Sequence, residues 1–139
     1  MTAESNAAYN FQELDGAANP AIKHYVGDDI KFINNAGSTH PLFIVSKLND
    51  DGGYSAENEV DGVQNQGATS GEVIVDLSSL SPGTYYYICG NHKAMQGIIS
   101  VLPKFSIYIS KENLDSERTQ NFNITQSTLG HLKYRFLLY

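Results

Sequence analysis

The chain of 139 residues has the length of one domain, long enough to bury a core unaided, and its single cysteine rules out an internal disulfide. Charged residues make up only 17%, while 12 Gly, 9 Tyr and 6 Phe favour strands and turns, which argues against a helix bundle or coiled coil. A formal charge of −6 suits neither a phosphate backbone nor an anionic membrane, so no nucleic acid is expected and a basic protein partner is.

Short apolar runs alternate with turn residues along 8–102, the pattern of an all-β sandwich. Strands are predicted over 9–14, 21–26, 29–34, 42–47, 72–77, 84–89 and 97–102. Asn19-Pro20, Gly27-Asp28, Asn35-Ala36-Gly37, Asp51-Gly52-Gly53 and Ser81-Pro82-Gly83 supply the turns between them. Over 29–34, Ile30 and Phe32 alternate with Lys31, as on a strand with one face against a core. The run Leu42-Phe43-Ile44-Val45 is apolar throughout and reads as a central strand. The polar stretch 49–70 reads as a long surface loop with one short edge strand near 60–63.

Charge shifts at Pro103. Residues 1–102 hold four lysines against twelve carboxylates, whereas 103–139 hold five basic and three acidic residues. Two units are therefore expected, a β-sandwich over 1–103 and an extension over 104–139. The extension regains strand character at 105–109 and 132–139 and carries the glycosylation triplet Asn123-Ile124-Thr125. No apolar run approaches the ~20 residues of a membrane span, so no membrane insertion is expected. The opening residues 1–6 show neither the basic nor the apolar stretch of a secretory signal.

The chemistry concentrates in Cys89-Gly90-Asn91-His92-Lys93-Ala94-Met95, which sets a thiolate, an imidazole and a thioether within seven residues at the end of a strand. Soft sulfur with imidazole suits copper, and two histidines with one cysteine and a long axial methionine describe a blue-copper centre. The second histidine must come from elsewhere, and His40, just before the strand at 42, is the candidate. Zinc accepts Cys and His, but structural zinc sites rarely use Met, so Met95 favours copper. A Cys89–His92 nucleophile and base would lack an evident orienting acid and oxyanion site. His24 and His131 read as structural or solvent-facing, and Tyr85, Tyr86 and Tyr87 as strand packing.

His40-Pro41-Leu42, followed by Cys89-x₂-His92-x₂-Met95 between Tyr85-Tyr86-Tyr87-Ile88 and Gly97-Ile98-Ile99-Ser100-Val101, resembles the cupredoxins of the plastocyanin, amicyanin and pseudoazurin type. The short His-to-Met spacing is most similar to that of amicyanin. The resemblance spans residues 8–102 and implies a Greek-key β-sandwich holding one type 1 copper ion that cycles between Cu(I) and Cu(II). By position, His40, Cys89 and His92 would be equatorial ligands and Met95 the weak axial one. It further implies a monomeric electron carrier, not an enzyme, that serves redox protein partners in a periplasmic or secreted setting. Multicopper oxidases need several such domains and more histidines, and a binuclear centre needs a second cysteine. The alternative is a copper-binding or interaction module of the same fold without a dedicated electron-transfer role, an idea fed by the extension 104–139.

Two departures from the cupredoxin pattern bear on function. Many members carry Asn after the first histidine, and its backbone N–H donates to the ligand sulfur; Pro41 has no N–H, which leaves Asn91 as the expected donor. Plastocyanin uses a Tyr directly before the cysteine for remote electron entry, where this chain has Ile88. Entry is therefore expected at the His92 edge, beside Ala94 and Lys93. The carboxylates Asp50, Asp51, Glu57, Glu59 and Asp61 read as a solubilising surface, or as a dock for a basic partner. Hydrogen bonds to sulfur stabilise the electron-rich reduced site, so Pro41→Asn should raise the reduction potential of the copper-loaded protein in a redox titration.

Overall fold

The computed structural model describes residues 1–104; the strands expected at 105–109 and 132–139, the Asn123 triplet and His131 lie outside the described residues. Among the described residues nine strands follow in chain order: β1 (Asn10–Phe11), β2 (Ala17–Ala18), β3 (Ile22–Tyr25), β4 (Asp29–Asn34), β5 (Leu42–Val45), β6 (Val63–Gln64), β7 (Gly71–Asp76), β8 (Gly83–Cys89) and β9 (Gln96–Leu102). One sheet runs β3-β9-β8-β5 and the other β4-β7-β6, while β1 and β2 form a separate ribbon. Among these strands β3 and β9 pair in parallel and the other ladders are antiparallel. The chain crosses between the two sheets four times, and the late strands β8 and β9 lie between the early strands β3 and β5. That interleaving is the Greek-key arrangement of a β-sandwich, as expected.

Period-two alternation decides which side chains meet between the sheets. Ile30, Phe32 and Asn34 of β4 and Val73 and Val75 of β7 face inward from one sheet. Leu42, Ile44, Tyr87, Cys89, Ile99 and Val101 face them from the other, in one continuous cluster with Tyr9 and Phe11 of the N-terminal segment. Aromatic rings fill its centre: Phe11 and Phe32 sit edge-on at 6.2 Å, and Tyr87 lies 5.3 Å from Phe11 and 5.7 Å from Phe32. Cys89 and Met95 belong to this cluster, so the chemistry-bearing residues are part of the core that holds the sheets together.

Three segments differ from the sequence expectation. The strand expected over 9–14 is two residues long and gives way to a 3₁₀ turn at Gln12–Leu14. Asp15 and Gly16 then take left-handed conformations, φ 53 and 76, and the chain returns as β2. This is a hairpin that Asp15-Gly16 announces by its turn chemistry. Second, β5 is the end strand of its sheet, not a central one. Its apolar character comes from the segment after it: Val45 bridges Glu59, Leu42 bridges Ala68, and Phe43 stacks on Tyr54 at 4.1 Å. Third, the polar stretch 49–70 is thus partly a cover, with Asn58 buried in a 3₁₀ turn at Ala56–Asn58 and the edge strand placed at Val63–Gln64. Such a cover keeps the open edge from pairing with other chains.

One cross-strand pair is tightly specified. Gly97 lies opposite Tyr87, whose hydroxyl donates to Pro20 O at 2.7 Å, and a methyl group at 97 would run into the Tyr87 phenol. Tyr87 is fully buried among the core aromatics and has no room to retreat. Gly97→Ala should therefore cost about 1–3 kcal/mol, read as a lowered midpoint in urea denaturation.

Candidate metal centre

The ladder between β5 and β8 sets Leu42 opposite Cys89, so the end of β8 and the turn leading into β5 emerge side by side. His40 ends that turn, with its N–H donating to Gly37 O at 3.0 Å. Beyond Cys89 the chain reverses in a tight loop. Cys89 N–H donates to Met95 O at 2.9 Å and Met95 N–H to His92 O at 3.0 Å, which places His92 on the loop and returns Met95 to the core. Cys89 and Met95 are buried, with 1% and 0% of their surface exposed, and His40 is 7% exposed. His92 is half-buried, whereas Lys93 and Ala94 beside it are exposed.

Three donor atoms converge here. Cys89 Sγ lies 3.5 Å from His92 Nδ1 and 3.9 Å from His40 Nδ1, and the two imidazole rings are 4.9 Å apart. All three ligand atoms fall within 4.8 Å of one another. A zinc-like ion binds thiolate at about 2.3 Å and imidazole at about 2.0 Å, so ligands opened by about 120° hold sulfur and nitrogen about 3.7 Å apart. The two observed separations bracket that value, so the donor set fits a first-row transition ion. Burial, and then the neighbouring His92 imidazole, lower the pKa of His40. Both effects favour the neutral ring, whose lone pair a metal requires. Among the described residues this is the single cluster of three such ligands.

Contacts around the ligands hold the two loops to each other. Gly90 N–H donates to Pro41 O at 3.0 Å, and the Asn91 side chain donates to Thr39 O at 2.9 Å. The Asn91 side chain thereby ties the Cys-to-His loop to the residue before His40. The carbonyl of His40 accepts twice, from Asn34 Nδ2 at 3.0 Å and from the Tyr9 hydroxyl at 3.1 Å. The Tyr9 hydroxyl also reaches Pro41 O at 3.2 Å. Burial, reinforced by the adjacent Cys89, raises the Tyr9 pKa, so the phenol stays protonated and can donate.

Of the residues singled out by sequence, His40, Cys89 and His92 come together, and Met95 is bound to Cys89 through the backbone. His24 lies apart, on β3, with Nδ1 3.8 Å from Asp28. Ile88 is fully buried, paired with Phe43, so no exposed aromatic precedes the cysteine. Asp50, Asp51, Glu57, Glu59 and Asp61 are all exposed. Tyr54 donates to Glu59, and burial with this bond pushes the Tyr54 pKa up to about 12. Sequence reasoning missed the part that Tyr9, Asn19 and Asn34 play at the site; Asn19 reads only as a turn residue, and only the topology brings the three to the ligands.

The Greek-key β-sandwich is cupredoxin-like in fold, and the His40–Cys89–His92 cluster makes one end of it a candidate metal site. No protein-family profile matches the chain, and no curated protein does. Among solved structures it is similar to reduced rusticyanin, with 27% identity over 60% of this chain and a TM-score of 0.40. The match covers 63% of the rusticyanin chain, less than two thirds of its length. No helix among the described residues is long and apolar enough to cross a membrane.

Glycine at 90 is required by the packing around the ligands. A Cβ there would stand 2.7 Å from Phe43 Cε2 and 3.4 Å from Pro41 Cγ, and the Phe43 ring is backed by Tyr54. Gly90→Ala should displace the residue that links Cys89 to Pro41 and lower metal affinity about 10- to 100-fold in a competition titration, with far-UV circular dichroism unchanged.

Proposed function

We propose that the chain holds one copper ion on His40, Cys89, His92 and Met95 and carries single electrons between protein partners. The observation that carries this reading is the convergence of Cys89 Sγ with the Nδ1 atoms of His40 and His92 at 3.5–3.9 Å in a buried end of the sandwich. Copper bound there would take up or release one electron, alternating between Cu(I) and Cu(II). The ligand atoms fit zinc equally well; the choice of copper rests on Met95, buried in the same core cluster as Cys89.

The residues themselves suit a carrier. A one-electron site works fastest when neither oxidation state moves the ligands, and these ligands stand on two strand ends and a short loop fixed by backbone hydrogen bonds. Three ligands are shielded from water, while His92 is half-exposed beside Lys93 and Ala94, an edge through which a partner can exchange electrons. The exposed carboxylates of the 50–61 segment supply a negative surface for a basic partner. This reading makes the protein a carrier, not an enzyme, and its cupredoxin-like character supports a monomer in a periplasmic or secreted setting.

The test is a visible spectrum during titration with Cu(II), with Cys89→Ala alongside. The proposal expects an intense thiolate-to-copper band that ascorbate bleaches and ferricyanide restores, and that Cys89→Ala lacks. A band indifferent to Cys89 overturns the ligand set. Tight copper binding without reversible reduction overturns the carrier role and leaves a copper-binding module.

A further inference from the structure

The N-terminal hairpin reaches both loops that carry candidate ligands. Tyr9 precedes β1 and Asn19 follows β2, so the two residues face each other across the base of the ribbon. They are locked together: Tyr9 N–H donates to Asn19 Oδ1 at 2.9 Å, and Asn19 N–H donates to Tyr9 O at 2.9 Å. Asn19 sits at φ 45, a left-handed conformation that asparagine tolerates better than most residues. From this base two side chains extend. The Tyr9 hydroxyl donates to the carbonyls of His40 and Pro41, and Asn19 Nδ2 donates to Ala94 O at 2.9 Å, between His92 and Met95.

We propose that the β1–β2 hairpin is a clasp on the metal site, with Tyr9 and Asn19 as positioning residues that set the spacing of the two ligand loops. The inference rests on the copper reading for its purpose, but the clasp itself is a property of the protein. Packing alone accounts for the Tyr9 ring, which is fully buried and lies 6.4 Å from Tyr87. It does not account for where the polar groups point. A buried phenol can be satisfied by any carbonyl, yet this one reaches the carbonyls of both peptide groups that flank Pro41. The Asn19 amide reaches across 75 positions of sequence to the loop that holds His92. One hairpin thus joins the first ligand loop to the second, independently of the Asn91–Thr39 bond that joins them directly.

Two conservative variants isolate the clasp. Tyr9→Phe keeps the ring and removes the hydroxyl. Asn19→Asp keeps the acceptor for Tyr9 N–H and tolerates the left-handed backbone, but removes the donor to Ala94 O. The first measurement is made on the full-length, metal-free, reduced protein: the rate at which iodoacetamide alkylates Cys89 under native conditions. Cys89 is 1% exposed, so alkylation reports local opening of the ligand loops. Both variants should react several-fold faster than wild type. Leu77→Ala, which opens a core cavity in the 3₁₀ turn at Leu77–Ser79 and removes none of the hairpin's hydrogen bonds, should lower the urea midpoint and leave the native alkylation rate near that of wild type. The second measurement is Cu(II) affinity by competition, expected to fall about 10- to 100-fold in both variants with a changed thiolate-to-copper band.

Wild-type alkylation rates in both variants overturn the clasp, as does an equal acceleration in Leu77→Ala, which would make the effect one of global stability. Faster alkylation with unchanged affinity and spectrum overturns its role toward the metal. A wild-type protein without a thiolate-to-copper band overturns the copper reading instead, and the metal-free alkylation rates then decide on the clasp by themselves.

Discussion

The register of β5 against β8 is the constraint on which the rest depends. With Leu42 opposite Cys89, inward-facing positions on the two strands coincide, and Tyr87 and Ile44 pair two residues further in. A slip of one residue would turn Cys89 to the outer face and bring Ile88 between the sheets in its place. The sulfur would then lie on the opposite side of the sheet from Tyr9 and the inward rings. The hydrophobic requirement that Leu42, Ile44 and Tyr87 be buried together therefore also aims the cysteine. Fold and candidate site are specified by the same side-chain alternation.

Register alone leaves the histidines free, because both lie on turns. Their placement comes from polar groups that bind backbone carbonyls: Asn34 and Tyr9 on His40 O, Asn91 on Thr39 O, Asn19 on Ala94 O. Asn34 is fully buried and spends its amide hydrogens on His40 O and Ala68 O while its oxygen accepts from Ala36 N–H. Buried polar groups satisfied in this way are costly to disturb, since each broken contact strands a partner away from water. Loops held by such contacts move less than their exposure suggests.

How much of this could be read from the sequence follows the range of each interaction. Alternation marked β4 to the residue, because Ile30 and Phe32 alternate with Lys31 as on a strand with one wet face. Cys89 and His92 were legible because a strand end and a short loop keep them adjacent in sequence as well as in space. His40 was found by asking which histidine precedes an apolar strand. Tyr9 and Asn19 carry no such mark; their partners lie 31 and 75 positions away, and nothing local distinguishes a positioning tyrosine from a packing one. The status of β5 failed for a related reason. An apolar run shows that a strand is covered on both faces, but it does not show whether another strand or a folded-back loop does the covering.

That loop changes how the acidic surface should be understood. Its carboxylates are exposed, yet the backbone that presents them is tied to the sandwich: Ser46 N–H donates to Asn58 O, Val60 N–H to Ile44 O, and Tyr54 stacks on Phe43. Phe43 in turn fills the space beside Gly90, next to the cysteine. Gln96 Nε2 bridges Gly52 O and Lys93 O, joining the loop to the segment that carries His92. The charges and the half-exposed histidine are thus held on one connected framework. Under the proposed carrier role, a partner drawn to the carboxylates by long-range attraction would meet His92 in a defined orientation, which matters to electron transfer as much as affinity.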